Sequence, residues 1–136
     1  GMTRVRELMA AGINEAFGHD ALMDPWYSFG TYDMIEVAHM GLHVAQMTGG
    51  DRMGPIFEAI TTNGARVLGL EGYGLEPGCH ADIVILQART PQEALRLKPV
   101  RLHVIRRGSV ISETSPVLSR LEMEDQTIEV DFLWPK

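Results

Sequence analysis

The feature that most constrains this chain is a break near its middle. From Gly69 onward, Gly72, Gly74, Pro77 and Gly78 crowd one short stretch. Glycine costs about 1 kcal/mol and proline about 3 kcal/mol inside a helix, so a regular element cannot persist there. Before the break, apolar residues recur at helical spacing; after it, they gather in short β-branched runs. The pattern predicts an α+β chain in two parts, residues 1–69 and 70–136. Since 136 residues amount to roughly one domain, the parts are pieces of one small architecture.

Within the first part, residues 3–11 read as a helix that Thr3 can cap and Gly12 can end. A short strand is expected over 13–17, closing on Gly18, His19 and Asp20. Residues 21–30, with Asp24-Pro25-Trp26 and Gly30, read as an aromatic-rich loop. The longest helix is expected from about Thr31 to Met47, with Asp33 and Glu36 in its first turns, where negative charge suits the helix dipole. Gly54-Pro55 opens another helix to about Thr62, and Asn63-Gly64 interrupts before a last turn or two through Leu68. Beyond the break, 82–86 is an apolar strand and Thr90-Pro91-Gln92-Glu93 is a capping box that starts a short helix. Residues 100–106 and 109–113 form a hairpin around Arg107-Gly108. Ile128, Val130 and Phe132 alternate, enough for an edge strand or a loose tail.

Charge and cysteine content exclude several function classes. Twelve basic against eighteen acidic side chains leave a net charge of −6, and no basic run is present to follow a phosphate backbone. Nucleic-acid binding is not expected; a small-molecule or protein partner is. Cys79 is the one cysteine, which rules out an intrachain disulfide and any multi-cysteine metal site and fits a reducing cytoplasm. No run of eighteen apolar residues suggests a membrane span. Gly1 ahead of Met2 has the form of a residue left by tag cleavage and is set aside from the fold.

Among residues that could carry chemistry, Asp20 stands first. A carboxylate at a strand's carboxyl end, beside a loop rich in glycine and aromatics, can bind a metal or accept a proton; it can equally cap a loop. Neighbours on a strand point to opposite faces, so His19 would support rather than share the site. His39 and His43 are four apart on the long helix, a spacing that suits a metal, but no glutamate between them completes a protease motif and packing is the simpler reading. Trp26 can stack on a planar ring or anchor its loop. Cys79 lacks an activating base.

Two stretches carry a resemblance. Gly18-His19-Asp20-Ala21-Leu22-Met23-Asp24-Pro25-Trp26-Tyr27, with His39-Met40-Gly41-Leu42-His43-Val44 after it, resembles the carboxyl-terminal part of the cytosine-deaminase branch of the metal-dependent amidohydrolase superfamily. Thr62-Asn63-Gly64-Ala65-Arg66-Val67-Leu68-Gly69-Leu70, then Tyr73-Gly74, Gly78 and Ala81–Leu86, is similar to the segment that joins barrel to β-sandwich across that superfamily.

The resemblance implies a fragment of a (β/α)₈ barrel, its last βα unit and following helices, plus a small antiparallel hairpin or sheet from the β-sandwich half. It implies that Asp20 is the metal-binding and proton-accepting aspartate, that Trp26 lines the substrate pocket, and that the cofactor is a divalent zinc or iron ion. The substrate is then a nucleobase-like ring that loses an exocyclic amine by hydrolysis. The family's second aspartate falls on Ala21, which can neither donate nor accept a hydrogen bond. Its other metal histidines and its proton-shuttling glutamate have no match here, and a catalytic ion normally needs at least three protein ligands. The expectation is therefore a truncated chain, inactive in isolation. The alternatives are a non-catalytic interaction or structural module, and a subunit of a split enzyme. A lone barrel strand exposes backbone groups and apolar surface, so a homo-oligomer is expected.

Overall fold

The structure, a computed structural model, describes residues 3–132. The chain divides into two compact units, residues 1–80 and 81–136. The first is helical. It holds α1 (Val5–Ala10), α2 (Met34–Val44), a 3₁₀ turn (Gly50–Arg52), α3 (Met53–Ala59) and α4 (Thr62–Val67). Helix α2 starts where sequence chemistry allows, because the Asp33 carboxylate caps it by accepting from the Ile35 amide at 2.9 Å. Its apolar stripe, Ile35, Ala38 and Leu42, is buried together with Met47, with Ile56 and Ala59 of α3, and with Ala65 of α4. That small core fixes α2 against α3.

Three expectations about the helices are corrected here. Thr3 does not cap α1; the N-cap is Arg4, whose side chain makes no capping bond and instead donates to the Glu7 carboxylate at 3.1 Å. Helix α2 ends at Val44, before Gly49-Gly50, since the chain already turns through Gln46 at φ 54°. The break between α3 and α4 falls at Ile60 and Thr61, while Asn63-Gly64 lies inside α4. The Thr61 hydroxyl bonds the Phe57 carbonyl at 2.8 Å, and that local bond ends α3 in place of the glycine.

Residues 13–17 form no ladder, because a strand needs a paired neighbour and among the described residues this segment has none. Backbone bonds tie down both its ends, from the Ile13 amide to the Leu8 carbonyl at 3.1 Å and from the Phe17 amide to the Ala59 carbonyl at 2.9 Å. Ile13 is exposed, but from Asn14 to Asp20 the burial alternates. Glu15, Phe17 and His19 are half-buried, whereas Asn14, Ala16, Gly18 and Asp20 are exposed. Period-two sidedness belongs to an extended chain with one covered and one open face.

The second unit is built on an antiparallel sheet of β1 (Ile83–Leu86), β2 (Arg101–Arg106) and β3 (Ser109–Glu113), in that spatial order. Arg107 and Gly108 both take positive φ, 50° and 79°, as a two-residue turn with the right twist for a hairpin requires. The Asp82 carboxylate accepts from the Arg107 amide at 2.6 Å and pairs with the Arg106 guanidinium, holding β1 to that turn. Helix α5 (Pro91–Leu97) connects β1 to β2 and begins at Thr90, whose hydroxyl accepts from the Glu93 amide at 3.2 Å. Ala94 and Leu95 are buried, and so is Glu93, whose carboxylate is satisfied in part by the Arg89 amide at 2.8 Å. The alternating tail becomes β5 (Gln126–Val130), paired with β4 (Ser119–Met123) in a separate two-stranded sheet. The Gln87 side chain anchors the chain leading into β4 through two bonds to the Val117 backbone.

Candidate functional site

A cavity of about 370 Å³ opens in the helical unit. Gly18, His19, Asp20 and Ala21 line it from the end of the unpaired segment, Trp26 and Tyr27 from the following loop, and Glu36, Val37 and Met40 from α2. Asp20 and Trp26, the two expected site residues, thus share one cavity. Asp20 sits on the open face of its segment and His19 on the covered face, as neighbours on an extended chain must.

The loop is held locally. The Asp24 carboxylate accepts from both the Trp26 and Tyr27 amides at 2.9 Å, an Asx turn that fixes where Trp26 leaves the backbone. Trp26 itself is 88% exposed, so its indole face is available. Gly30, at φ 97°, lets the loop close: a Cβ there would stand 2.5 Å from Leu22 Cδ1 and 3.3 Å from His19 Cε1.

Buried polar atoms without partners are costly. Two occur among the described residues, His19 Nε2 and Glu15 Oε2. Burial pushes the Glu15 carboxyl above its ordinary value. Both lie on the covered side of the unpaired segment.

The histidine pair on α2 packs ring on edge, with centroids 4.9 Å apart, and neither ring lines the cavity. Cys79 is half-buried in the glycine-rich connection. No group of three or more His, Cys, Asp or Glu side chains among the described residues is placed to hold a metal. The cavity's lining includes Asp20, His19 and Glu36, but these are not gathered about one point as the three ligands of a catalytic ion must be, so these residues do not by themselves fit one. Glu36 was not singled out as a site residue by sequence. Its signal was present, since Glu36, Val37 and Met40 fall on adjoining positions of one helical face.

The fold and site define a class: this chain belongs to the amidohydrolase family, whose model matches residues 1–117. Amidohydrolases are generally metal-dependent. The chain is similar to N-isopropylammelide isopropyl amidohydrolase of Pseudomonas sp. (strain ADP), at 36% identity over 116 residues, 85% of this chain and 29% of that protein. It is 30% identical over 123 residues to pterin deaminase of Rhizobium rhizogenes, which covers 90% of this chain and 28% of that protein. Among solved structures, 5-methylcytosine deaminase from Klebsiella pneumoniae, liganded with 5-fluorocytosine, matches at a TM-score of 0.83 and 38% identity, over 88% of this chain and 29% of that one. The chain therefore spans under a third of the length of these relatives, and its α+β structure with antiparallel sheets matches a fragment of an amidohydrolase.

Proposed function

We propose that this chain is the Asp20-bearing end of a cytosine-deaminase-like hydrolase acting on a nucleobase-like ring. In this reading residues 13–20 are the last strand of a (β/α)₈ barrel. The observation that carries it is the sidedness of that segment: one face rests on the helices, and the other, open face ends on a carboxylate in a cavity with an accessible tryptophan. A barrel strand has this division, helices outside and chemistry at its carboxyl end.

The chemistry assigned to these residues is hydrolysis at a ring carbon bearing an exocyclic amine. Trp26 covers the ring face. Asp20 takes a proton from the attacking water as oxygen bonds to that carbon and then passes it to the amine, so that the carbon–nitrogen bond breaks with loss of ammonia and the oxygen stays on the ring. A divalent zinc or iron ion would lower the pKa of the water where the site holds one. Its remaining donors must come from outside these residues, which are inactive in isolation; the alternatives are a non-catalytic interaction module and a subunit of a split enzyme. Large exposed apolar side chains, among them Met23, Phe29, Tyr32 and Leu75, support self-association while that surface is uncovered.

Ammonia release from a panel of aminopyrimidines and aminotriazines, with zinc or iron added, tests the assignment. The chain alone should release none and should purify with far less than one metal ion per chain; stoichiometric metal with turnover overturns the reading.

A further inference from the structure

Three polar side chains that line the cavity have no part in that chemistry, His19, Tyr27 and Glu36, and of these Glu36 alone is a carboxylate. It projects from the first turn of α2 and is half-buried, and its Oε2 receives the Thr31 hydroxyl at 2.8 Å. A carboxylate offers about four acceptor sites, so the threonine orients the group without exhausting it. Around it the walls are apolar or aromatic: Ala21, Val37, Met40 and Trp26. Position 21, next to Asp20, supplies only a methyl group. With Asp20 engaged by the reacting water, Glu36 is the remaining carboxylate among the residues that line this cavity, alongside His19 and Tyr27.

We infer that Glu36 is a specificity-determining residue, accepting hydrogen bonds from the edge of a substrate ring that presents a ring N–H beside an exocyclic amine. The inference rests on the cavity being the substrate site. A carboxylate accepts two parallel N–H groups in one plane, and such charge-assisted pairs are roughly twice as strong as neutral ones. It meets a carbonyl or an unprotonated ring nitrogen with repulsion, so it selects by rejecting acceptor edges as well as by binding donor edges. A cavity of this size takes one such ring with room for a small substituent against Val37 and Met40.

The test uses the full chain, ¹⁵N-labelled, titrated with isocytosine, whose ring N–H adjoins an amine, and with pyrimidin-4-one, the same ring without the amine. Isocytosine should shift the Trp26 indole and the Glu36 and Val37 amides and bind at least about tenfold more tightly than pyrimidin-4-one, the loss expected when a charged acceptor has no partner. In Glu36→Gln the preference should collapse, and in Thr31→Val it should shrink by a smaller factor. Equal binding of the two rings, a preference that survives Glu36→Gln, or no shift at these residues overturns the inference. The ring comparison on the unaltered chain needs no variant. Failure here leaves the deaminase reading standing, because that reading is decided by ammonia release and by Asp20.

Discussion

Phe17 lies against Gly41 so closely that a methyl group at position 41 would stand 2.5 Å from the ring's Cε2. The contact seats the unpaired segment on α2, and with the Phe17–Ala59 backbone bond it sets where Asp20 and the cavity fall. Gly41→Ala gains up to about 1 kcal/mol of helix propensity but overpacks the Phe17 ring, at about 1–3 kcal/mol. A net loss near 1 kcal/mol is expected in urea unfolding. A gain of that size would mean that the ring relaxes at no cost.

Glu15 makes stability depend on pH. Its carboxyl is raised by burial above the ordinary 4.5, so the folded chain holds a proton that the unfolded chain has released. Stability on this account is greatest below pH 4.5 and falls as pH rises from there through the raised value. Glu15→Gln should flatten that slope and make the chain more stable at pH 7. Urea midpoints at intervals between pH 4 and pH 7 read the difference; parallel curves for the two proteins would show that Glu15 is solvated.

The Asx turn at Asp24 holds the backbone beneath Trp26. Asp24→Ala removes both acceptor bonds at a cost of about 1 kcal/mol each. The Trp26 and Tyr27 amides should exchange with solvent roughly tenfold faster or more, by native-state hydrogen exchange, while amides in the β2–β3 hairpin keep their rates. Unchanged exchange at Trp26 would show that the loop is held by something other than this turn.

Exposed apolar side chains of the aromatic loop, Met23, Trp26, Phe29 and Tyr32, together with the unpaired backbone of residues 13–17, should drive association. Light scattering across a concentration series should give a mass of two chains or more, with binding of a hydrophobic dye falling as mass rises. A single-chain mass at every concentration, with little dye bound, contradicts this.

Much of the second unit was legible in the sequence because its signals are local. Thr90 and Glu93 sit three apart and satisfy a helix start by themselves; Arg107-Gly108 sets a hairpin turn within two residues. The first unit was read less well where the outcome depends on distant partners. Residues 13–17 read as a strand because they are short and mostly non-helical in preference, but a ladder needs a second strand, and none pairs with them among the described residues. The α3–α4 break passed from Asn63-Gly64 to Thr61 because one hydroxyl bond outweighed the glycine's propensity. Asp20 and Trp26 were legible as candidates from their surroundings in the chain. Glu36 was read only as a residue that suits the helix dipole, since its place in the cavity appears once α2 packs against the loop.

The most direct measurement is ammonia release when this chain is co-expressed with the portion of the Klebsiella pneumoniae 5-methylcytosine deaminase that it does not match, supplied with zinc or iron. The combination should deaminate an aminopyrimidine while each part alone does not, and Asp20→Asn should lower the rate about 10²–10⁴-fold without altering the chain's fold. No ammonia from the combination, a rate indifferent to Asp20→Asn, or turnover by this chain unaided would contradict the account.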